Sequence, residues 1–285
     1  MCGTCGCSDP ANAVTMTDPD SGETRLLRQG MIGGGDHHHH HDHDHGHDHG
    51  HDHHHDHDHD HEAPHVHGAN GEVISLETAV LAKNDRIAAR NRGWFEGRGV
   101  LALNLVSSPG AGKTTLLERT IAALDGKVEV AVIEGDQQTV NDAERIRAAG
   151  ARAVQINTGA GCHLEADMVS RALESLDPAP GSILMIENVG NLVCPAMFDL
   201  GERMKVAVIS TPEGEDKPLK YPHMFRAAEV VIVNKMDLAP HVDFDGERCL
   251  ENIRQVNPAA KIIQLSARSG EGMEGWIAFL TDRAG

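Results

Sequence analysis

From about residue 76 onward, short apolar runs alternate with amphipathic stretches. The runs cover 100–106, 128–133, 153–156, 183–186, 206–209, 230–233 and 262–265, and consist mainly of Val, Ile, Leu and Ala. Continuous aliphatic runs of this length are the pattern of strands buried on both faces of a parallel sheet. Between them, apolar residues recur at helical spacing over 113–124, 141–149, 164–176, 219–228, 244–256 and 273–281. A preceding helix is predicted over 76–92 from Leu76, Val80, Leu81, Ile87 and Ala88. Strand and helix in alternation predict βαβ units, and hence an α/β fold with a mostly parallel central sheet and helices on both faces.

The first 67 residues do not share this pattern. Residues 1–35 are small, polar and Gly-rich and are read as a flexible tail. Residues 36–67 are almost wholly His, Asp and Gly, a composition that cannot bury a core and predicts disorder without metal. The globular part is therefore placed at 68–285, enough for one sizeable domain. Of the net charge of −18, the His/Asp tract carries −9 and residues 1–35 carry −2, leaving −7 for the rest. A domain so weakly acidic lacks the basic face that nucleic acid requires. No apolar run reaches 18 residues and the N-terminus lacks a signal-peptide pattern, so a cytoplasmic protein with no membrane span is expected.

The strand predicted at 101–106 runs into SSPGAGKTT and then a helix. A loop whose backbone N–H groups converge ahead of a helix N-terminus is a phosphate site. Gly110, Ala111 and Gly112 form its close-approach segment. Lys113 is assigned to the β and γ phosphates and Thr114 to Mg²⁺, with Thr115 also at the nucleotide. Ser107 stands where the usual pattern has Gly, but the strand–loop–helix setting supports a P-loop NTPase. Asn234-Lys235-Met236-Asp237 follows the strand at 230–233. A carboxylate there accepts from guanine N1–H and the exocyclic amine and would be left unpaired by adenine, so the base is read as guanine and the ligand as GTP/GDP. Lys235 is expected to lie over the base and Asn234 to hold the loop. Ser266 and Ala267, ending the next strand, fit a second base-contacting loop. Glu187 and Gly190 end the strand at 183–186, where an acid senses Mg²⁺ and a glycine the γ-phosphate. Asp136 is expected at the metal or the attacking water, since hydrolysis depends on positioned water and charge stabilisation. Arg145 and Arg147 read as helix-surface charges. Lys217 and Lys220 are candidates for nucleotide contact across a dimer.

Three places offer soft or borderline metal ligands. Cys2, Cys5 and Cys7 can wrap one ion, with the α-amine of Cys2 as a fourth donor if Met1 is removed. Such a set suits planar Ni²⁺ or tetrahedral Zn²⁺. An iron–sulfur fragment lacking its fourth cysteine is the alternative. Cys162, His163 and Cys194 all follow strand ends and can converge. A three-ligand site leaves a position for water or a second subunit, and Cys194 follows the Glu187–Gly190 segment closely enough to couple metal to nucleotide. The third place is the tract, with eighteen histidines in 37–67. Imidazoles there bind several borderline ions with modest selectivity and release them near pH 6.5. Cys249, on a helical pattern beside Leu250 and Ile253, reads as core.

SSPGAGKTTLL, EGDQQTVNDAERI, NTGAGCHLEADM, ENVGNLVCPAMFDLGE, EGEDKPLKYP and NKMDL, in this order, resemble the hydrogenase nickel-incorporation GTPases (HypB). The resemblance covers most of 70–285 and extends to Cys2, Cys5 and Cys7. It implies a P-loop GTPase of the same group as the urease accessory GTPase. It further implies Mg²⁺-dependent and slow hydrolysis, GTP-linked homodimerisation, and delivery of Ni²⁺ to the large subunit of a [NiFe]-hydrogenase with a HypA-type nickel chaperone as partner. It implies a tight nickel site at Cys2, Cys5 and Cys7, a weaker nickel/zinc site at Cys162, His163 and Cys194, and nickel storage by the tract. Two other readings stand beside it. One is a nickel-sequestering protein with a slow regulatory GTPase. The other is a urease-type accessory GTPase, which fits poorly because a contiguous Cys-Pro-His is missing.

Overall fold

The computed structural model describes residues 14–18, 21–27, 65–67, 73–136, 141–159 and 161–284. Its strands are β1 (Val14–Thr17), β2 (Thr24–Leu27), β3 (His65–His67), β4 (Val73–Ser75), β5 (Leu101–Ser107), β6 (Val130–Asp136), β7 (Arg152–Asn157), β8 (Ile183–Glu187), β9 (Met204–Ser210), β10 (Ala228–Asn234) and β11 (Lys261–Gln264). The α-helices are α1 (Leu76–Arg98), α2 (Lys113–Leu124), α3 (Asn141–Ala148), α4 (Ala166–Leu176), α5 (Cys194–Met197), α6 (Lys217–Lys220), α7 (Pro222–Ala227), α8 (Gly246–Val256) and α9 (Met273–Ala284).

Nine strands form one sheet in the order β11-β10-β9-β5-β8-β6-β7-β1-β2, and β5 to β11 are mutually parallel. This is the α/β fold that the aliphatic runs predict. Side chains alternate between the two faces of each strand. Leu103 and Leu105 of β5 therefore join Leu116 and Leu117 of α2, Ile146 of α3 and Trp276 of α9. Ala102 turns the other way, into a cluster with Phe95 of α1 and Met168 and Val169 of α4. Val106 lies with Met224 and Phe225 of α7 and Ile253 of α8. All seven parallel strands have their C-terminal ends on one edge, where open α/β sheets bind ligands.

Three elements differ from the sequence reading. Within residues 1–35, read as tail, β1 and β2 form a hairpin whose first strand pairs antiparallel with β7 (Thr15 opposite Asn157). Val14 and Met16 find the apolar partners that a polar tail would lack. The single helix expected at 219–228 is two, α6 and α7, separated at Tyr221. Pro222 has no N–H to donate and disfavours helical backbone in the residue before it. Helix α1 runs past residue 92 to Arg98, ending where Gly99 takes φ 64°. The antiparallel pair β3–β4, with Val66 opposite Ile74, belongs to a separate unit. Cys2, Cys5, Cys7 and the tract histidines up to position 61 lie outside the described residues.

Candidate functional site

The phosphate loop joins β5 to α2 at the ligand-bearing edge. Gly110 takes φ 75° and Gly112 φ 95°, the left-handed region that side chains avoid. A Cβ on Gly112 would also stand 2.6 Å from Asn234 Nδ2. Lys113 is buried and its Nζ donates to Ser107 Oγ at 2.8 Å. The serine that departs from the usual glycine therefore holds the lysine. Thr114 Oγ1 donates to Glu187 Oε1 at 3.0 Å, and Lys113 Nζ lies 4.0 Å from the same oxygen. Glu187 Oε2 is buried without a hydrogen-bond partner. Burial pushes its carboxyl up to about 7, against the opposing pull of Lys113 and Thr114. A buried carboxylate beside a threonine hydroxyl, with one oxygen unpaired, fits a divalent cation. Asp136 ends β6 on the same edge, opposite Asn157. Gly190 comes so close to the loop that a Cβ would lie 2.9 Å from Pro109 Cα, which places the segment after β8 directly on the phosphate loop.

Glu134 is a site residue that pattern reading missed. It pairs in register with Glu187 across β6 and β8 and has Oε2 buried and unpartnered. Burial, then the charges of Glu187 and Asp136, push it up to about 9. Each of these two neighbouring carboxyl groups keeps one buried oxygen without a hydrogen-bond partner, which a cation could use.

The base end is tied to the phosphate end. Asn234 Nδ2 donates to Ala111 O at 2.9 Å, and its Oδ1 accepts from Lys235 N at 2.7 Å and Ala267 N at 3.0 Å. Lys235, at φ 61°, sends Nζ to Gly110 O at 2.7 Å. Ser266 Oγ donates to Asp237 Oδ1 at 2.6 Å, so Asp237 is oriented by the loop expected to contact the base. Lys217 Nζ reaches Ser108 Oγ at 3.3 Å, whereas Lys220 pairs with Asp216 on the surface. Arg145 is engaged by Glu118 and Asp142, as a helix-surface charge should be. Arg147 donates to Ala153 O.

Cys162, His163 and Cys194 converge, with ligand atoms all within 4.8 Å of one another. The two Sγ atoms are 2.8 Å apart and Cys162 Sγ is 3.4 Å from His163 Nδ1. His163 packs at a tilt of 31° against Phe198, with 3.8 Å between ring centroids. Burial pulls its imidazole down to about 4, so the ring is neutral at physiological pH and its lone pair is available to a metal. Cys194 N and Val193 N both donate to Asn191 Oδ1, which fixes the turn presenting Cys194.

Residues 101–264 match the family described as CobW/HypB/UreG, nucleotide-binding domain. The chain is 60% identical over 217 residues to the hydrogenase maturation factor HypB of Rhizobium leguminosarum bv. viciae, covering 76% of this chain and 73% of that protein. The chain belongs to the HypB family of hydrogenase maturation factors. Among solved structures, HypB from Archaeoglobus fulgidus is similar at 40% identity with a TM-score of 0.68, over 72% of this chain and 100% of that one. HypB from Helicobacter pylori in complex with nickel is similar at 40% identity with a TM-score of 0.66, over 71% of this chain and 95% of that one.

Proposed function

We propose that the protein is a GTP-hydrolysing nickel metallochaperone that binds Ni²⁺ and delivers it to the large subunit of a [NiFe]-hydrogenase during maturation. The observation that carries this reading is the convergence of Cys162, His163 and Cys194 within 4.8 Å, with Cys194 on the segment that leaves Glu187 and packs Gly190 against the phosphate loop. The nickel complex of the Helicobacter pylori relative supports the choice of metal. Two thiols and a neutral imidazole suit Ni²⁺, and Zn²⁺ equally.

In this reading the N–H groups of Gly110 to Thr115 and the Lys113 ammonium bind the phosphates. Thr114, Asp136 and Glu187 would hold Mg²⁺, which would supply charge neutralisation at the phosphates. Asp136 also orients water, and Gly190 senses the γ-phosphate. Asp237 accepts from the guanine edge, held by Ser266. Asn234, Lys235 and Ala267 fix the base loop. Hydrolysis is slow and serves gating. Cys2, Cys5 and Cys7 form a further nickel site and the His-rich tract a nickel store. The protein works in the cytoplasm as a GTP-linked homodimer with a HypA-type chaperone.

Transfer of radioactive nickel to a purified hydrogenase large-subunit precursor, with the HypA-type partner present, tests the reading. Transfer is expected with GTP and lost in Lys113→Ala. Equal transfer with and without GTP would overturn gated delivery. Deleting residues 36–67 is expected to lower nickel bound per chain while maturation persists in nickel-replete cells. Unchanged nickel content would remove the storage role.

A further inference from the structure

The thiol–imidazole loop touches both strand ends that carry the acids of the nucleotide site, and one of its residues, Leu164, reaches both. This leucine directly follows His163 and is fully buried. Its side chain sits over Gly135, where a Cβ would meet Leu164 Cγ at 2.8 Å and both δ carbons at 2.9 Å. Gly135 lies between Glu134 and Asp136 at the end of β6. The backbone N–H of Leu164 donates to Asn188 Oδ1 at 3.1 Å, and Asn188 directly follows Glu187 at the end of β8. Asn188 is itself fixed on all sides. Its Oδ1 also accepts from Val189 N at 3.0 Å, its Nδ2 donates to Asn104 Oδ1 at 3.2 Å, and its N–H donates to Leu105 O at 3.0 Å.

The line continues beyond Asn104 and closes on itself. Asn104 Nδ2 donates to Glu202 Oε1 at 3.1 Å, and Lys205 Nζ pairs with the same oxygen. Lys205 Nζ also donates to Phe198 O at 3.0 Å, and the Phe198 ring lies on His163. His163 is therefore gripped from two sides by one buried circuit, through Leu164 and through Phe198. Both grips lead back to Asn188. Buried polar groups in such a circuit cannot lose a partner cheaply. A shift of Asn188 is therefore followed by the loop or answered by a broken bond.

We propose that Asn188 and Leu164 are positioning residues that transmit nucleotide state to the metal cluster, Asn188 from the end of β8 and Leu164 from the end of β6. Neither is a metal ligand or a phosphate ligand. Their task is to make the placement of Cys162 and His163 depend on what occupies the site at Glu187 and Asp136. The inference rests on the reading above that metal release is gated by nucleotide, and it names the parts that perform the gating.

The test uses the full-length protein with Cys2, Cys5 and Cys7 changed to serine. Thiolate-to-nickel charge-transfer absorption then reports Cys162 and Cys194, because burial pushes the Cys249 thiol up to about 12. Free nickel is set by a chelator buffer, and affinity is measured with Mg²⁺ and either GDP or a non-hydrolysable GTP analogue. In the parent the two affinities are expected to differ by about fivefold or more, the usual range of coupling between sites. In Asn188→Ala the ratio is expected to fall to within about twofold of unity, while affinity for each nucleotide stays close to that of the parent. Retention of the parent ratio in Asn188→Ala overturns the transmission and leaves gated delivery standing. A parent whose nickel affinity ignores nucleotide overturns gated delivery, and the transmission with it. Should Asn188→Ala fail to fold, the Leu164 backbone amide resonance of the parent, without nickel, is compared in the two nucleotides. A shift supports the transmission, and an unchanged resonance overturns it.

Discussion

Lys113 Nζ stands 4.0 Å from Glu187 Oε1, with both side chains almost wholly buried. The ammonium that should meet the phosphates thus shares its pocket with the carboxylate that should meet the cation. Desolvated charges of opposite sign support one another, and removing either leaves the other uncompensated. Lys113→Ala is expected to abolish GTP binding measured by calorimetry. Binding within about threefold of the parent, well below what loss of a buried charge–phosphate contact costs, would take Lys113 out of the phosphate site.

Gly190 brings the segment after β8 against the phosphate loop, where the position of a Cβ is already occupied by Pro109. Gly190→Ala must push the two apart, at a cost of about 1–3 kcal/mol. Single-turnover GTP hydrolysis is expected to slow by about tenfold or more, the effect of an ångström-scale misplacement. A normal rate would show that the contact does not set the geometry of hydrolysis.

Asp237 is oriented by Ser266 at 2.6 Å, with Oδ1 already receiving one hydrogen bond and Oδ2 free for the base edge. Asp237→Asn replaces an acceptor with a donor. The variant is expected to lose much of its preference for guanine over xanthine nucleotides, since a mispaired polar group is heavily penalised in a site built to hydrogen-bond. Competition binding with GTP and XTP decides it, and unchanged selectivity would remove Asp237 from the pocket.

Cys249 is buried in the cluster beneath α8, and burial pushes its thiol from 9.0 up to about 12. A raised acid pKa means that the folded state keeps the proton. The neutral thiol is favoured below the unfolded value, and that contribution is lost as pH climbs through the folded one. Iodoacetamide at pH 8.5 is therefore expected to modify Cys249 in the native protein about a hundredfold or more slowly than in urea. Peptide mass mapping reads the rates, and equal rates would place Cys249 in contact with solvent.

Much of this architecture is legible from the sequence because its signals are local. Parallel strands buried on both faces are rich in aliphatic residues, and the runs within β5 to β10 declare themselves that way, while the edge strand β11 shows only Ile262 and Ile263 between polar ends. The phosphate loop and the Asn234–Asp237 segment are contiguous, and Cys162-His163 is a pair of neighbours. The hairpin β1–β2 has no such signal. Its strands are four residues each, and their apolar positions acquire meaning only when β7 lies beside them. The circuit through Asn188 is equally silent in one dimension. Asn188 meets Asn104 across 84 positions and Asn104 meets Glu202 across 98. Isolated asparagines, one within β5 and one after β8, and an acid ahead of β9 look like ordinary polar punctuation until the sheet brings them together.

The bonds from Asn234 and Lys235 to the backbone of Ala111 and Gly110, and from Thr211 Oγ1 to Lys235 O at 2.9 Å, act as a caliper. They set the span between the jaw that grips phosphate and the jaw that grips the base before any ligand arrives. A nucleotide of the right length meets a gauge already locked, so little ordering is left to be done on its entry on that side. The opposite wall is built from the ends of β6 and β8, which carry Asp136 and Glu187. On the proposed gating, exchange of GDP for GTP is expected to leave the caliper still and to concentrate its mechanical effect on the wall that leads to the thiols.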